Sequence, residues 1–102
     1  MLHIADKVIQ LYEDPESFKE WLEKMRKAKV LKHVEIDGDL IHIGGTVSTC
    51  LWLKTDPISN LVCLAFALLG PIWPYLPDTE EAFKKIRKWW RRKIREAQMD
   101  SD

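Results

Sequence analysis

The sequence predicts an α+β fold in one domain spanning residues 1–102, and three observations carry that expectation. Apolar residues recur at helical spacing near the start, alternate with a period of two between Val30 and Leu53, and return to helical spacing after Asp56. Asp37-Gly38 stands inside the alternating stretch and is a strong short-range signal for a β-hairpin. Asp14-Pro15, Asp56-Pro57 and Gly70-Pro71 punctuate the helical parts where starts and stops are needed.

The first helix is expected from about Leu2 to Tyr12, with Ala5, Val8, Ile9 and Tyr12 on one face. Asp14 then caps a second helix over about Pro15–Lys29. Pro15 fits its first position because an N–H there has no helical partner. Phe18, Trp21, Leu22, Met25 and Ala28 form its apolar face, and Lys and Glu cover the other. Three antiparallel strands follow as a meander. A turn at Asp37-Gly38 would set Val34 opposite Ile41 and His33 opposite His42. Gly44-Gly45 makes a second turn or bulge, and Val47–Leu53 forms the third strand.

Asp56-Pro57 opens a helix to Leu69 that is apolar nearly all round, as a buried helix is. It is expected to pack on one face of the sheet, against Val34, Ile36, Ile41, Ile43, Leu51 and Leu53. Pro57 to Pro77 contains no charged residue, but its continuously apolar part, Leu61–Leu69, is too short to span a bilayer. No transmembrane segment is therefore expected. Pro71–Pro77 reads as a rigid connector. Asp78, with Glu81 three residues on, reads as a capping box for a long amphipathic C-terminal helix.

Composition narrows the function classes. Apolar residues make up 46% and charged ones 31%, a globular balance. Lys and Arg number 16, as do Asp and Glu, so the formal net charge is zero, unlike the strongly basic balance of duplex-DNA binders. Few amide side chains (Asn60, Gln10 and Gln98) amid many Lys, Arg and Glu hint at a thermophilic source. The start, MLHIADKVIQLYED, lacks a basic segment followed by a long apolar core, so a cytoplasmic protein is expected. Cys50 and Cys63 sit among apolar neighbours and read as buried free thiols. No phosphate loop, nucleophile elbow or metal-spaced cysteine pair occurs, so neither an enzyme nor a metal or cofactor site is expected. His33, His42 and Glu35 share one side of the hairpin without a further ligand at recognisable spacing.

Positive charge is local rather than global. Lys84, Lys85, Arg87, Lys88, Arg91, Arg92, Lys93 and Arg95 fall within twelve residues, around Trp89 and Trp90. At 100° per residue, Phe83, Ile86, Trp90, Ile94 and Ala97 form the apolar stripe, which makes Trp90 core. Ala82 and Trp89 lie at its edge, and Lys93 intrudes into it. A boundary indole beside cations suits a single-stranded nucleic acid, whose bases stack on rings while Lys and Arg hold phosphates. The expectation is a non-enzymatic binding protein in which Lys84, Lys88, Arg91, Arg92 and Arg95 meet phosphates and Trp89, Trp73 and Tyr75 stack. Trp52 is a further platform. The alternative is a protein–protein module or homo-oligomeric adaptor, such as a homodimer, that uses the Trp-containing C-terminal helix.

Overall fold

The computed structural model describes residues 3–99. Helices α1 (Ile4–Glu13) and α2 (Pro15–Lys27) precede strands β1 (His33–Asp37), β2 (Leu40–Gly44) and β3 (Ser48–Trp52). Helix α3 (Pro57–Leu69), a 3-10 turn (Gly70–Tyr75) and helix α4 (Thr79–Met99) complete the α+β order that the sequence predicts. Leu2, the expected start of α1, lies outside the described residues.

Asp14-Pro15-Glu16-Ser17 and Asp56-Pro57-Ile58-Ser59 start α2 and α3 by one device. Each aspartate accepts the serine N–H three residues on, at 3.3 Å for Ser17 and 3.0 Å for Ser59. It also accepts the serine hydroxyl, at 2.7 and 2.9 Å. These bonds satisfy donors that the first helical turn leaves orphaned, and they hold both carboxyls below the ordinary aspartate range. Helix α4 starts differently, and the expected capping box is absent. The Asp78 carboxylate accepts no hydrogen bond among the described residues; the Thr79 hydroxyl instead donates to the Trp73 carbonyl at 2.5 Å. This ties α4 to the 3-10 turn, which occupies most of the expected connector.

The sheet order is β1-β2-β3, antiparallel throughout. The hairpin loop is Gly38-Asp39, one residue later than expected, with φ of +60° at Gly38. A positive φ at the first loop position is the pattern of a type II′ turn, where glycine is preferred. Val34 therefore pairs with Ile43, Glu35 with His42, and His33 with Gly44, so the two histidines are not opposite each other.

Helix α3 is the centre of the packing, against β3, α1, α4 and the 3-10 turn. Ile41, Ile43 and Leu51 are fully buried in the core with Leu61, Leu64 and Ala65; Val34 and Leu53 are partly buried. Ile36, expected in that contact, is 45% exposed because β1 lies at the edge away from α3. The β2–β3 loop docks on the end of α3, where the Thr46 N–H donates to the Ala67 carbonyl at 2.9 Å. A Cβ at Gly45 would lie 2.3 Å from that same carbonyl oxygen, so the approach requires glycine. Helix α3 and the 3-10 turn run through Pro57–Tyr75, 19 residues of mean hydropathy 1.5, long and apolar enough to cross a membrane by length and composition. Here that run forms the middle of the fold.

One edge of the sheet is sealed by α3. Asn60, buried in that apolar helix, accepts the Trp52 N–H and donates to the Trp52 carbonyl, both at 3.0 Å. Its amide also donates to the Tyr12 hydroxyl at 2.7 Å, and that hydroxyl donates to the Thr55 carbonyl at 2.8 Å. Thr49 Oγ1 donates to the Cys63 carbonyl at 3.0 Å. Burial pushes the Cys63 thiol up. Both cysteines are free, and both are half-buried rather than fully enclosed.

Candidate nucleic-acid interface on helix α4

Helix α4 packs on α1 and α3, and the orientation of its apolar stripe is set by partners remote in sequence. Trp89, expected at the boundary, is buried to 8% exposure, whereas Trp90, expected as core, is half-buried. Trp89 Nε1 donates to Glu13 Oε1 at 2.8 Å, and the Trp89 ring lies 5.5 Å from that of Tyr12. Trp90 sits over the same tyrosine at 5.8 Å. Lys93, the cation inside the apolar stripe, reaches Glu13 at 3.5 Å, and Lys85 reaches Asp6 at 2.5 Å. The Trp89 hydrogen bond, aided by the Lys93 charge, holds the Glu13 carboxyl below its ordinary value.

The structure divides the expected site residues into two groups. Trp73 is 5% exposed, enclosed between Phe66 and Phe83 with centroid distances of 5.9 and 5.4 Å. Trp73 and Trp89 are thus packing residues, and neither ring offers a face to a base. Tyr75 is 88% exposed in the turn that precedes α4. Trp52 is partly exposed on the sheet, apart from α4.

Lys84, Lys88, Arg91, Arg92 and Arg95 are all exposed. None makes an ion pair with a carboxylate among the described residues. At 100° per residue, Lys84, Lys88, Arg91 and Arg95 fall within about 60° of arc and span about 17 Å along the axis. They form one row of cations about 5–6 Å apart on a rigid element. Arg92 flanks the row on one side. Arg87, on the other, sets its guanidinium 6.0 Å from the Phe83 ring centroid.

Beside the row, a groove of about 530 Å³ lies between the start of α1 and the first half of α4. Lys84, Lys85 and Lys88 line it together with Asp6, Asp78 and Glu81, so its charge is balanced. The exposed sheet face carries His33, Glu35, His42 and Cys50. No group of three or more His, Cys, Asp or Glu side chains among the described residues is placed to hold a metal ion.

Sequence reasoning missed Glu13 and Asn60. Asn60 had a signal, being the sole amide in an otherwise apolar helix. Glu13 had none, because only the fold brings it to Trp89. The chain matches no protein-family model, no curated protein and no solved structure.

Proposed function

We propose that the protein is a non-enzymatic nucleic-acid-binding protein that grips the phosphate backbone along the outer face of α4. The observation that carries this reading is the row Lys84–Lys88–Arg91–Arg95, exposed and free of carboxylate partners among the described residues. Unpaired cations at regular spacing release counterions when they meet phosphates, and that release drives binding independent of base sequence. With Trp73 and Trp89 enclosed, preference for a single strand rests on Tyr75, whose exposed ring lies next to the start of α4. Stacking on such a ring is worth about 1–3 kcal/mol per base.

The test is a fluorescence-anisotropy titration of a labelled oligothymidylate of about 20 nucleotides at 50 mM salt. Anisotropy is the appropriate readout because the enclosed indoles of Trp73 and Trp89 would report contact poorly. The intact protein binds, and Lys84→Ala/Lys88→Ala/Arg91→Ala/Arg95→Ala loses at least tenfold in affinity. Tyr75→Ala loses affinity for the single strand but not for a duplex of the same length. Equal binding by the intact and fourfold-substituted proteins would remove the reading.

A further inference from the structure

The two edges of the sheet are finished differently: α3 caps β3, and no element pairs with the outer side of β1 among the described residues. Asn60 takes both main-chain groups of Trp52, so those groups point away from β2. Trp52 pairs with Leu40, which therefore turns its own N–H and C=O toward β1 and Asp37. The alternation of an antiparallel ladder then fixes the rest. His33, Glu35 and Asp37 bond to β2, while Val34 and Ile36 direct their N–H and C=O outward. Lys32, just before β1 begins, departs from that alternation, its N–H also donating to the Gly44 carbonyl at 2.7 Å. No strand lies beside β1 among the described residues. Ile36 stands 45% exposed on the edge, and β1 carries neither proline nor lysine, the usual guards of a free edge.

From this we infer that β1 pairs antiparallel with β1 of a second copy, joining two sheets into one of six strands. The strand His33-Val34-Glu35-Ile36-Asp37 is its own complement about a twofold axis at Glu35. In that register Val34 faces Ile36 of the second copy and exchanges both main-chain bonds with it. The symmetric pair does the same, which makes four hydrogen bonds. The half-buried Val34 and the exposed Ile36 side chains cover each other on the helix side of the sheet. On the other side His33 stands opposite Asp37 of the second copy. The two Glu35 carboxylates meet at the axis, the one like-charge contact of this register and one that opposes it; each has its own His33 Nε2 at 3.5 Å and His42 opposite it in the ladder. A different strand-forming peptide would satisfy the same main-chain groups. The His–Asp match and the Val–Ile match in one register favour a second copy. The surface is distinct from α4, which packs on the helices.

Sedimentation equilibrium of the full chain from about 1 to 200 μM tests the inference, with amide hydrogen exchange on the same samples. The expected result is a mass rising to twice that of one chain, with Val34 and Ile36 amides gaining protection as dimer forms. Ile36→Lys sets two ammonium groups on the joint. It is expected to weaken dimerisation at least tenfold while leaving exchange at β2 and β3 unchanged. A monomer throughout that range overturns the inference. So does a dimer that Ile36→Lys leaves intact, or one in which the Val34 and Ile36 amides exchange as fast as in the monomer.

Discussion

Trp89 and Arg91 are two residues apart in one helix and live in opposite environments. The inner face of α4 is held by specific partners: Trp89 by Glu13 and Tyr12, Lys93 by Glu13, and Lys85 by Asp6. On the outer face Lys84, Lys88, Arg91 and Arg95 have no partner of opposite charge among the described residues. Cations that serve the fold are the ones matched to carboxylates, and those left over are available for a ligand. Aromatic and basic residues close together in sequence therefore need not share a task. Here the indoles were drawn inward and most of the cations were left outside.

The contrast can be broken from the inside first. Trp89→Ala empties a buried aromatic site and is expected to cost about 3–5 kcal/mol in urea unfolding; a cost below 1 kcal/mol would mean that the inner face is not anchored there. Tyr12→Phe comes next. It leaves the ring against Trp89 but strips a hydroxyl that accepts from Asn60 and donates to Thr55, at an expected cost of about 1–3 kcal/mol. Burial raises the pKa of that hydroxyl, so the protonated form is the one the fold prefers. Its contribution is complete below the unfolded value and is lost as pH rises through the folded one. Thermal scans from pH 8 upward should therefore show an alkaline decline in the parent that Tyr12→Phe flattens.

Glu13 gives the opposite sign. Its carboxyl is held low by the Trp89 hydrogen bond and then by the Lys93 charge. Its contribution is present above the unfolded carboxyl value and is lost as pH falls through the folded value. Glu13→Gln, which can still accept from Trp89, should make acid unfolding between about pH 5 and 3 less steep than in the parent. The smallest effect belongs to the outer face. Arg91→Ala is expected to change stability by no more than about 0.5 kcal/mol in urea, and a larger loss would show that the row serves the fold.

Much of the fold was legible in the sequence because local chemistry decides it. The Asp-Pro-x-Ser starts act within four residues, and the alternation in β1 to β3 needs no distant partner to be read. The hairpin loop was misplaced by one residue, since Asp37-Gly38 and Gly38-Asp39 both hold a glycine that accepts positive φ. The candidate site was half legible. The exposed row follows from helical periodicity alone. Which of two adjacent tryptophans turns inward does not, because the pattern centres the apolar stripe on Trp90 and leaves Trp89 at its edge, whereas the fold buries Trp89 more deeply. Glu13 and Tyr12, some 76 and 77 positions upstream of Trp89, settle it by rotating the buried arc by about 40° from the pattern's centre. Trp73 reads as a platform in a rigid connector; the 3-10 turn tucks it under Phe83.

The central claim is that unpartnered cations on the outer face of α4 engage phosphates. It is tested most directly by the slope of log affinity against log salt for a single-stranded oligonucleotide, from 50 to 200 mM. Four phosphate contacts predict a slope of about −3, or roughly a fifty-fold loss over that range, with a shallower slope for every cation of the row replaced by alanine. No measurable affinity at 50 mM, or a slope that those replacements leave unchanged, would contradict the account.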